Sequence, residues 1–299
     1  MKEVIETIQS HPLISRLMKA YKSAETDITG IAVAYYLMIG IFPLLLILAN
    51  ILPYLQLDAS DLLLVLEKAV PGPLYSTVSK IVLDMIQHPS NSLLSFSVLS
   101  ALWTISQTMT ILQKAFDKAY GVEEGRNYIW GRILGMLMGL VLQLLLVIIS
   151  FLSFFGSSLL NFLEKHLDIN PLVYQQVLDQ GQLVFYLTSL LTLFLLYYIL
   201  PNVKIKKIRY VLPGISFVFL VFHFLGHFLD RYLLAYFNKL SNFRVAGSLV
   251  VLGIMLWFIV IAKTLLLGTV LNATYQGLKE GEFETKTPPL RKVLDRRKE

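Results

Sequence analysis

The sequence predicts an all-α polytopic membrane protein with six transmembrane helices and both termini in the cytoplasm. Three observations lead to this fold class: six long apolar runs, few charged residues, and a concentration of Lys and Arg in alternate connections between the runs. The runs cover residues 30–52, 92–113, 133–160, 183–200, 211–233 and 245–272. All but the fourth have at least about 20 residues, the length at which an α-helix crosses the hydrocarbon core of a bilayer.

Composition agrees with this interpretation. The 299 residues are 56% hydrophobic and 15% charged, whereas soluble proteins carry about 25% charged residues. Acidic residues and the lack of an uninterrupted apolar stretch argue against a signal peptide in residues 1–29. The chain has no cysteine, which excludes disulfides, thiolate metal sites and cysteine nucleophiles.

The distribution of basic residues predicts the orientation. Residues 1–29, 114–132, 201–210 and 273–299 hold four, four, four and seven Lys and Arg residues, and the alternate connections hold five in all. Basic residues are retained on the cytoplasmic side during insertion, so both termini are predicted to be cytoplasmic. The net charge of +6 then requires no nucleic-acid partner.

Three regions follow from this topology. Residues 1–29 form a cytoplasmic interfacial segment, residues 30–272 a six-helix transmembrane domain, and residues 273–299 a charged tail that is predicted to be disordered. The longest segment outside the runs is the outer loop 53–91, which is too short for a soluble catalytic domain.

The outer loop is predicted to contain two short amphipathic helices. The first covers 58–70, and the second begins at Pro73, after the break at Pro71-Gly72. The second helix has one apolar stripe, formed by Leu74, Val78, Ile81 and Met85. This helix either lies on the outer membrane surface, capping the bundle, or is an ordinary packed loop helix.

Polar and helix-distorting residues within or beside the runs are the candidates for a substrate pathway. They are Lys263, Gln107, Arg126 and Arg209, with Tyr35 and Pro43 shaping a cavity. Lys263 either faces a wet interior or extends its ammonium towards the interface. Gln107 and neighbouring hydroxyls either line a polar cavity or link helices by hydrogen bonds.

Two further patterns have a packing explanation as well as a functional one. His223, His227 and Asp230 share a helix face and are candidates for a proton relay, although packing is the default and no metal or cofactor is expected. Gly131, Gly135 and Gly139 form a small-residue face for close helix packing. A neighbouring helix of the same chain is favoured over a homodimer seam.

Several strings together resemble the YihY/virulence factor BrkB family, once named ribonuclease BN. They are Tyr35-Tyr36, Phe42-Pro43-Leu44, Trp103, Ala119-Tyr120-Gly121-Val122, Arg126-Asn127-Tyr128, Leu196-Tyr197-Tyr198, Pro201-Asn202, Leu212-Pro213-Gly214, Gly247-Ser248-Leu249, Trp257, Leu267-Gly268 and Asn272-Ala273. The resemblance extends over residues 20–275 and implies an integral membrane protein. This chain departs from the family pattern at Gly40, Asp117, Ala246 and Val270, where Ser, Asn, Tyr and Glu are usual.

The leading functional hypothesis is a transporter or flippase-like protein for a lipid or an amphipathic anionic substrate in envelope biogenesis. Its competitors are a non-transporting scaffold or regulator of an envelope complex and a proton-coupled exporter of small solutes. Membrane lipids are the expected partners, alongside a homo-oligomer or envelope-complex proteins, and no nucleic acid. The five scattered histidines argue against a ribonuclease, and the absence of a Walker-type glycine loop argues against direct use of ATP.

Overall fold

The computed structural model describes residues 11–51, 72–88, 90–122, 181–237 and 243–286, together with single residues and short stretches at 60–67 and 133–144. In 181–185, 226–237 and 243–251 only the backbone is described. Every named element in these residues is a helix, which confirms the predicted all-α class for this part of the chain.

The described helices follow the predicted apolar runs closely. They are α1 (Pro12–Ser23), α2 (Thr26–Ile51), α3 (Gly72–Gln87), α4 (Asn91–Ala119), α5 (Gly181–Ile199), α6 (Leu212–Phe237) and α7 (Phe243–Glu280), with a 3-10 turn at Ile208–Tyr210. The helices α2, α4, α5, α6 and α7 match the first, second, fourth, fifth and sixth runs. Most of the third run and most of the predicted helix at 58–70 lie outside the described residues.

Local sequence signals explain where several helices begin. The hydroxyl of Ser90 accepts a hydrogen bond from the backbone N–H of Leu93 at 3.4 Å and caps α4. Pro12 occupies the first turn of α1, where backbone N–H groups have no partner within the helix, so the missing N–H of proline costs no hydrogen bond. The helix α3 begins at the predicted Pro-Gly-Pro break.

The helix α3 contacts α2 and α7. Ser79 and Val82 are buried on it, whereas Ile81 from the predicted apolar stripe is 51% exposed. The other three members of that stripe lie outside the described side chains. Whether this helix rests on a membrane surface therefore stays a prediction.

Two stretches of the described chain are long and apolar enough to cross a membrane, Thr26–Ile47 and Leu252–Glu280. Tyr186–Ile199 and Leu212–Leu225 are shorter apolar helices. Large apolar side chains are exposed along these helices and along α4, among them Ile28, Phe42, Phe96, Leu99, Leu187, Leu220, Phe224, Leu252 and Leu256. Polar side chains are buried between them, among them Ser97, Thr104, Thr108, Asn202, Thr269, Asn272 and Gln276. This is the distribution expected where lipid contacts the outside of a helix bundle.

The core lies where α4, α5, α6 and α7 meet. The rings of Phe116 and Tyr197 stack with their centroids 5.6 Å apart. Leu112, Val218 and Leu266 are buried around them. A second, smaller cluster of mostly small residues joins α1 to the end of α7 and includes Ala20, Ala24, Ala119, Val203, Val270 and Ala273.

The structure differs from the predicted tail at residues 273–286. The helix α7 continues eight residues past the predicted boundary, to Glu280. Gly281 then adopts a left-handed φ of +79°, which ends the helix at little steric cost. Residues 281–286 fold back onto the connection between α5 and α6, and Val203 and Thr285 form an antiparallel bridge. Tertiary contacts, which composition does not reveal, therefore order the first half of this segment.

Candidate functional site

Four parts of the chain meet at one end of the bundle, which we call the basic end. They are α1 with the start of α2, the end of α4, the 200–211 connection and the end of α7. The Lys118 ammonium lies 3.0 Å from the Glu25 carboxylate and joins α4 to the α1–α2 junction. The exposed basic residues at this end are Arg16, Lys19, Lys22, Lys114, Lys118, Lys204, Lys206, Lys207, Arg209, Lys279 and Lys286. The described parts of the four predicted cytoplasmic segments are therefore neighbours in space.

Buried polar side chains hold the chain reversals at the basic end. The carboxylate of Asp117 accepts a hydrogen bond from the backbone N–H of Asn202 at 2.6 Å. The side-chain oxygen of Asn272 accepts one from the N–H of Gly214 at 2.7 Å. Gly214 lies in the first turn of α6, where backbone N–H groups have no partner within their own helix. Asn272 of α7 thus caps α6 across the helix interface.

Glycines allow α6 and α7 to approach closely at this contact. A Cβ atom on Gly214 would lie 2.3 Å from the carbonyl oxygen of Gly268. A Cβ atom on Gly268 would lie 2.2 Å from the hydroxyl oxygen of Tyr197. That hydroxyl donates to the carbonyl of Leu265 at 2.8 Å, so it cannot move away freely.

A strap formed by residues 281–286 closes the basic end. The ammonium of Lys286 donates to the carbonyls of Tyr198, Ile199 and Pro201 at 2.9, 3.1 and 2.9 Å, and so caps the C-terminus of α5. The Glu284 carboxylate lies 3.4 Å from Lys204 and 3.1 Å from Lys206. The hydrogen bond from Lys206 is the main cause that lowers the pKa of Glu284 and raises that of Lys206.

Lys263, the basic residue within the last span, is paired with an acid from the first. Its ammonium donates to the carboxylate of Asp27 at 2.6 Å. Its aliphatic stem covers Gly30, where a Cβ atom would lie 2.8 Å from the Lys263 Cγ. The ammonium is therefore neutralised at the contact between α2 and α7.

An apolar cleft of about 550 Å³ lies between α2 and α4. Phe42, Phe96, Leu99 and Trp103 line it and are between 51% and 68% exposed. The residues that line its deeper part are Pro43, Ser97, Ser100 and Thr104. Its size and composition suit an acyl chain or another apolar group.

The hydroxyl groups near the cleft are bonded to their own helix. Ser97 donates to the carbonyl of Leu93 at 2.7 Å, and Thr104 to that of Ala101 at 2.9 Å. Thr108 donates to the carbonyl of Thr104 at 2.9 Å. The polar face predicted on α4 is therefore largely satisfied by backbone carbonyls.

Comparison with known proteins decides the family. The sequence model of the family described as Virulence factor BrkB matches residues 17–292. The chain belongs to the virulence factor BrkB family. It is also similar to the putative ribonuclease-like protein YfkH of Bacillus subtilis (strain 168), with 25% identity over 260 residues, which cover 87% of this chain and 94% of that protein. No solved structure matches.

Membership of the BrkB family confirms the resemblance carried by the sequence strings, and together with the apolar helices it identifies a membrane protein. The structure shows the contacts of two residues at which this chain departs from the family pattern, Asp117 and Val270. Asp117 binds the Asn202 backbone, as described above. Val270 is buried in the cluster of small apolar residues, so the space where the family pattern has Glu is apolar here. Lys263, two turns earlier on α7, pairs with Asp27.

The structure does not bring the predicted pathway residues of this BrkB-family protein into one cavity. Pro43 lines the α2–α4 cleft, and Tyr35 is half-exposed with its ring 5.3 Å from that of Tyr36. Gln107 is half-buried on α4 and does not line the α2–α4 cleft. Arg209 is exposed at the basic end over the Tyr210 ring, and Arg126 lies outside the described residues.

The glycine and histidine candidates are described in part. A Cβ atom on Gly139 would lie 2.0 Å from the Ile105 side chain, and one on Gly135 would lie 3.4 Å from that of Met109. Both glycines therefore pack against α4 of the same chain, whereas Gly131 lies outside the described residues. His223 is exposed, with its ring 6.1 Å from that of Tyr186. The side chains of His227 and Asp230 are outside the description, and among the described residues no three His, Asp or Glu form a possible metal site.

The sequence analysis missed Asp27, Asn272 and Lys286 as functional or organising residues. A signal existed for Asp27, since it is an acid at the boundary of the first run in a chain whose last run contains an unpaired lysine. No local pattern pointed to the pairings of Asn272 with Gly214 or of Lys286 with the end of α5.

Proposed function

We propose that this BrkB-family protein spans the cytoplasmic membrane six times, with both termini inside, and moves a lipid or an amphipathic anionic substrate. The observation that carries the proposal is the apolar cleft between α2 and α4, whose exposed aromatic rim opens where lipid would contact the bundle. The basic end supplies cations that attract anionic headgroups at the inner leaflet. Pro43 lies beside the cleft and removes one hydrogen bond from α2, which favours movement of that wall.

A lipid translocation assay with a cleft-filling variant tests the proposal. Purified protein is reconstituted into liposomes with fluorescent phosphatidylglycerol, and movement between leaflets is followed by quenching from outside. Ser100→Phe places a ring in the cleft, whereas Ser95→Phe adds the same ring to an exposed position of α4 that does not line it. We expect wild type and Ser95→Phe to move lipid and Ser100→Phe to lose most of the rate. Equal rates in all three, or the same rate in protein-free liposomes, would refute the proposal.

A non-transporting scaffold or regulator of an envelope complex is the second candidate. Two observations favour it: the α4 hydroxyls are hydrogen-bonded to their own helix, and Lys263 is paired with Asp27. These interactions leave few polar groups that could bind a lipid headgroup as it crosses the membrane. Stoichiometric partners recovered from native membranes, without lipid movement in liposomes, would support it. The proton-coupled exporter remains a prediction that depends on His223, His227 and Asp230.

The proposal also holds that the protein is not an enzyme. The name of the Bacillus subtilis relative includes the word ribonuclease-like, and metal-dependent hydrolysis needs several ligands converging on an ion. Incubating the purified protein with RNA and Mg²⁺ tests this directly. Cleavage that follows the protein through purification would contradict the proposal.

A further inference from the structure

A second cavity, of about 460 Å³, lies at the basic end and shares no lining residue with the α2–α4 cleft. We call it the basic pocket. Its walls come from α1, the end of α4, the end of α7 and residues 281–283 of the strap. Residues from three separate parts of the chain thus line one space.

The wall formed by α1 is cationic. Arg16 and Lys19 both line the pocket, and their spacing of three residues places them on one helix face. Arg16 donates one N–H to the carbonyl of Gly277, which orients the guanidinium and leaves its other donors available. Lys19 forms no ion pair within the described part of the chain. Glu282, an exposed residue of the strap, is the acid among the lining residues.

A buried donor without a partner forms another part of the lining. Tyr120 lines the pocket and is 3% exposed, and its hydroxyl has no hydrogen-bond partner among the described residues. Burial raises the pKa of this hydroxyl, so it remains protonated and can donate. Its ring packs edge-on against Phe283 of the strap at 5.1 Å. Buried hydroxyl groups are normally hydrogen-bonded, so this one retains the capacity to donate to a further group.

We propose that the basic pocket binds a phosphate group, with Arg16 and Lys19 as cationic partners and the Tyr120 hydroxyl as a neutral donor. A guanidinium, an ammonium and a hydroxyl are the donors that phosphate oxygens accept from. The phosphate belongs either to a lipid headgroup or to a soluble phosphate ester. The exposed Leu13 and Met18 on α1 are compatible with a membrane surface beside the pocket.

Binding measurements on the full chain test this site with two probes. Phosphorus NMR titration of the detergent-solubilised protein reports on inorganic phosphate. Native mass spectrometry of protein released from nanodiscs compares phosphatidylglycerol with phosphatidylcholine, which has no net charge. Lys19→Ala removes a cation of the pocket, and Tyr120→Phe removes the donor without changing any charge. Lys22→Ala is the matched control, because it removes an exposed cation of α1 that does not line the pocket.

We expect Lys19→Ala and Tyr120→Phe each to weaken binding about tenfold, the loss typical of one hydrogen bond to a charged group. Lys22→Ala should change affinity by less than about twofold, because exposed charges are screened. Dependence on Lys19 in the lipid measurement identifies a headgroup, and dependence in the phosphate titration identifies a soluble ester. Wild-type protein that binds neither probe, an equal loss in Lys22→Ala, or unchanged affinity in Tyr120→Phe would overturn the proposal. Ser100→Phe should leave binding intact, so this test is independent of lipid movement through the cleft.

Discussion

The close approach of α6 and α7 makes a quantitative prediction at Gly268. Replacing this glycine with alanine places a methyl group 2.2 Å from the Tyr197 hydroxyl oxygen and 2.8 Å from a methyl carbon of Val218. Neither neighbour can move without cost, because the hydroxyl is bonded to the Leu265 carbonyl and Val218 is fully buried. The variant must therefore separate the two helices or distort Tyr197.

The expected magnitudes follow from the contacts. Overpacking a buried site costs about 1–3 kcal/mol, so Gly268→Ala should lower the free energy of unfolding by an amount in that range. Tyr197→Phe removes one hydrogen bond and should cost about 1 kcal/mol. The double variant has no hydroxyl to clash with the new methyl group. It should therefore be more stable than the sum of the two single changes predicts, by about 1 kcal/mol.

Reversible unfolding of the purified protein in mixed micelles measures these differences, with the four proteins of the cycle compared under one condition. Gly253→Ala is the matched control, because it is on the same helix and its added methyl group would meet no atom within 4 Å. It should be neutral or stabilising by up to about 1 kcal/mol. The reasoning is refuted if Gly268→Ala behaves like Gly253→Ala, or if the double variant is additive within about 0.3 kcal/mol.

Two further predictions concern ion pairs at the same end of the bundle. Asp27→Asn leaves the Lys263 ammonium without its carboxylate and should lower the free energy of unfolding by about 1 kcal/mol in the same assay. Adding Lys263→Met to this variant should restore stability, because the unpaired charge is removed. A double variant less stable than Asp27→Asn alone would contradict this. The lysine partners of Glu284 lower its pKa. The ion pairs should therefore hold the strap in place at pH values above the ordinary pKa of a glutamate, and the strap should be released as the pH falls through the lowered pKa. The protection factor of the Lys204 amide, which donates to the Glu284 carbonyl at 2.8 Å, should fall over that acidic range in wild type and stay flat in Glu284→Gln. Identical profiles in the two proteins would count against the ion pair.

Much of the fold was predictable because its signals are local. A cap such as Ser90, a break such as Pro71-Gly72-Pro73 and an apolar run each act within a few residues, and the described helices begin close to the predicted positions. The site was less predictable. Lys263 was a candidate for a cavity-facing residue, but the described structure pairs it with an acid 236 residues away in the chain. Gln107 was a candidate on the same grounds and does not line the α2–α4 cleft.

The sequence by itself determined that this chain is a helical membrane protein of the BrkB family and that its basic residues fall in alternate connections. Apolar runs and charge counts carry that information without reference to any partner. Only the tertiary structure decided that Asn272 caps α6, that Lys286 caps α5 and that the strap encloses the basic pocket. Each of these contacts joins residues at least 58 positions apart. Their formation depends on how the helices are rotated and shifted against each other, and helices that are apolar on most sides leave that arrangement undetermined in their pattern.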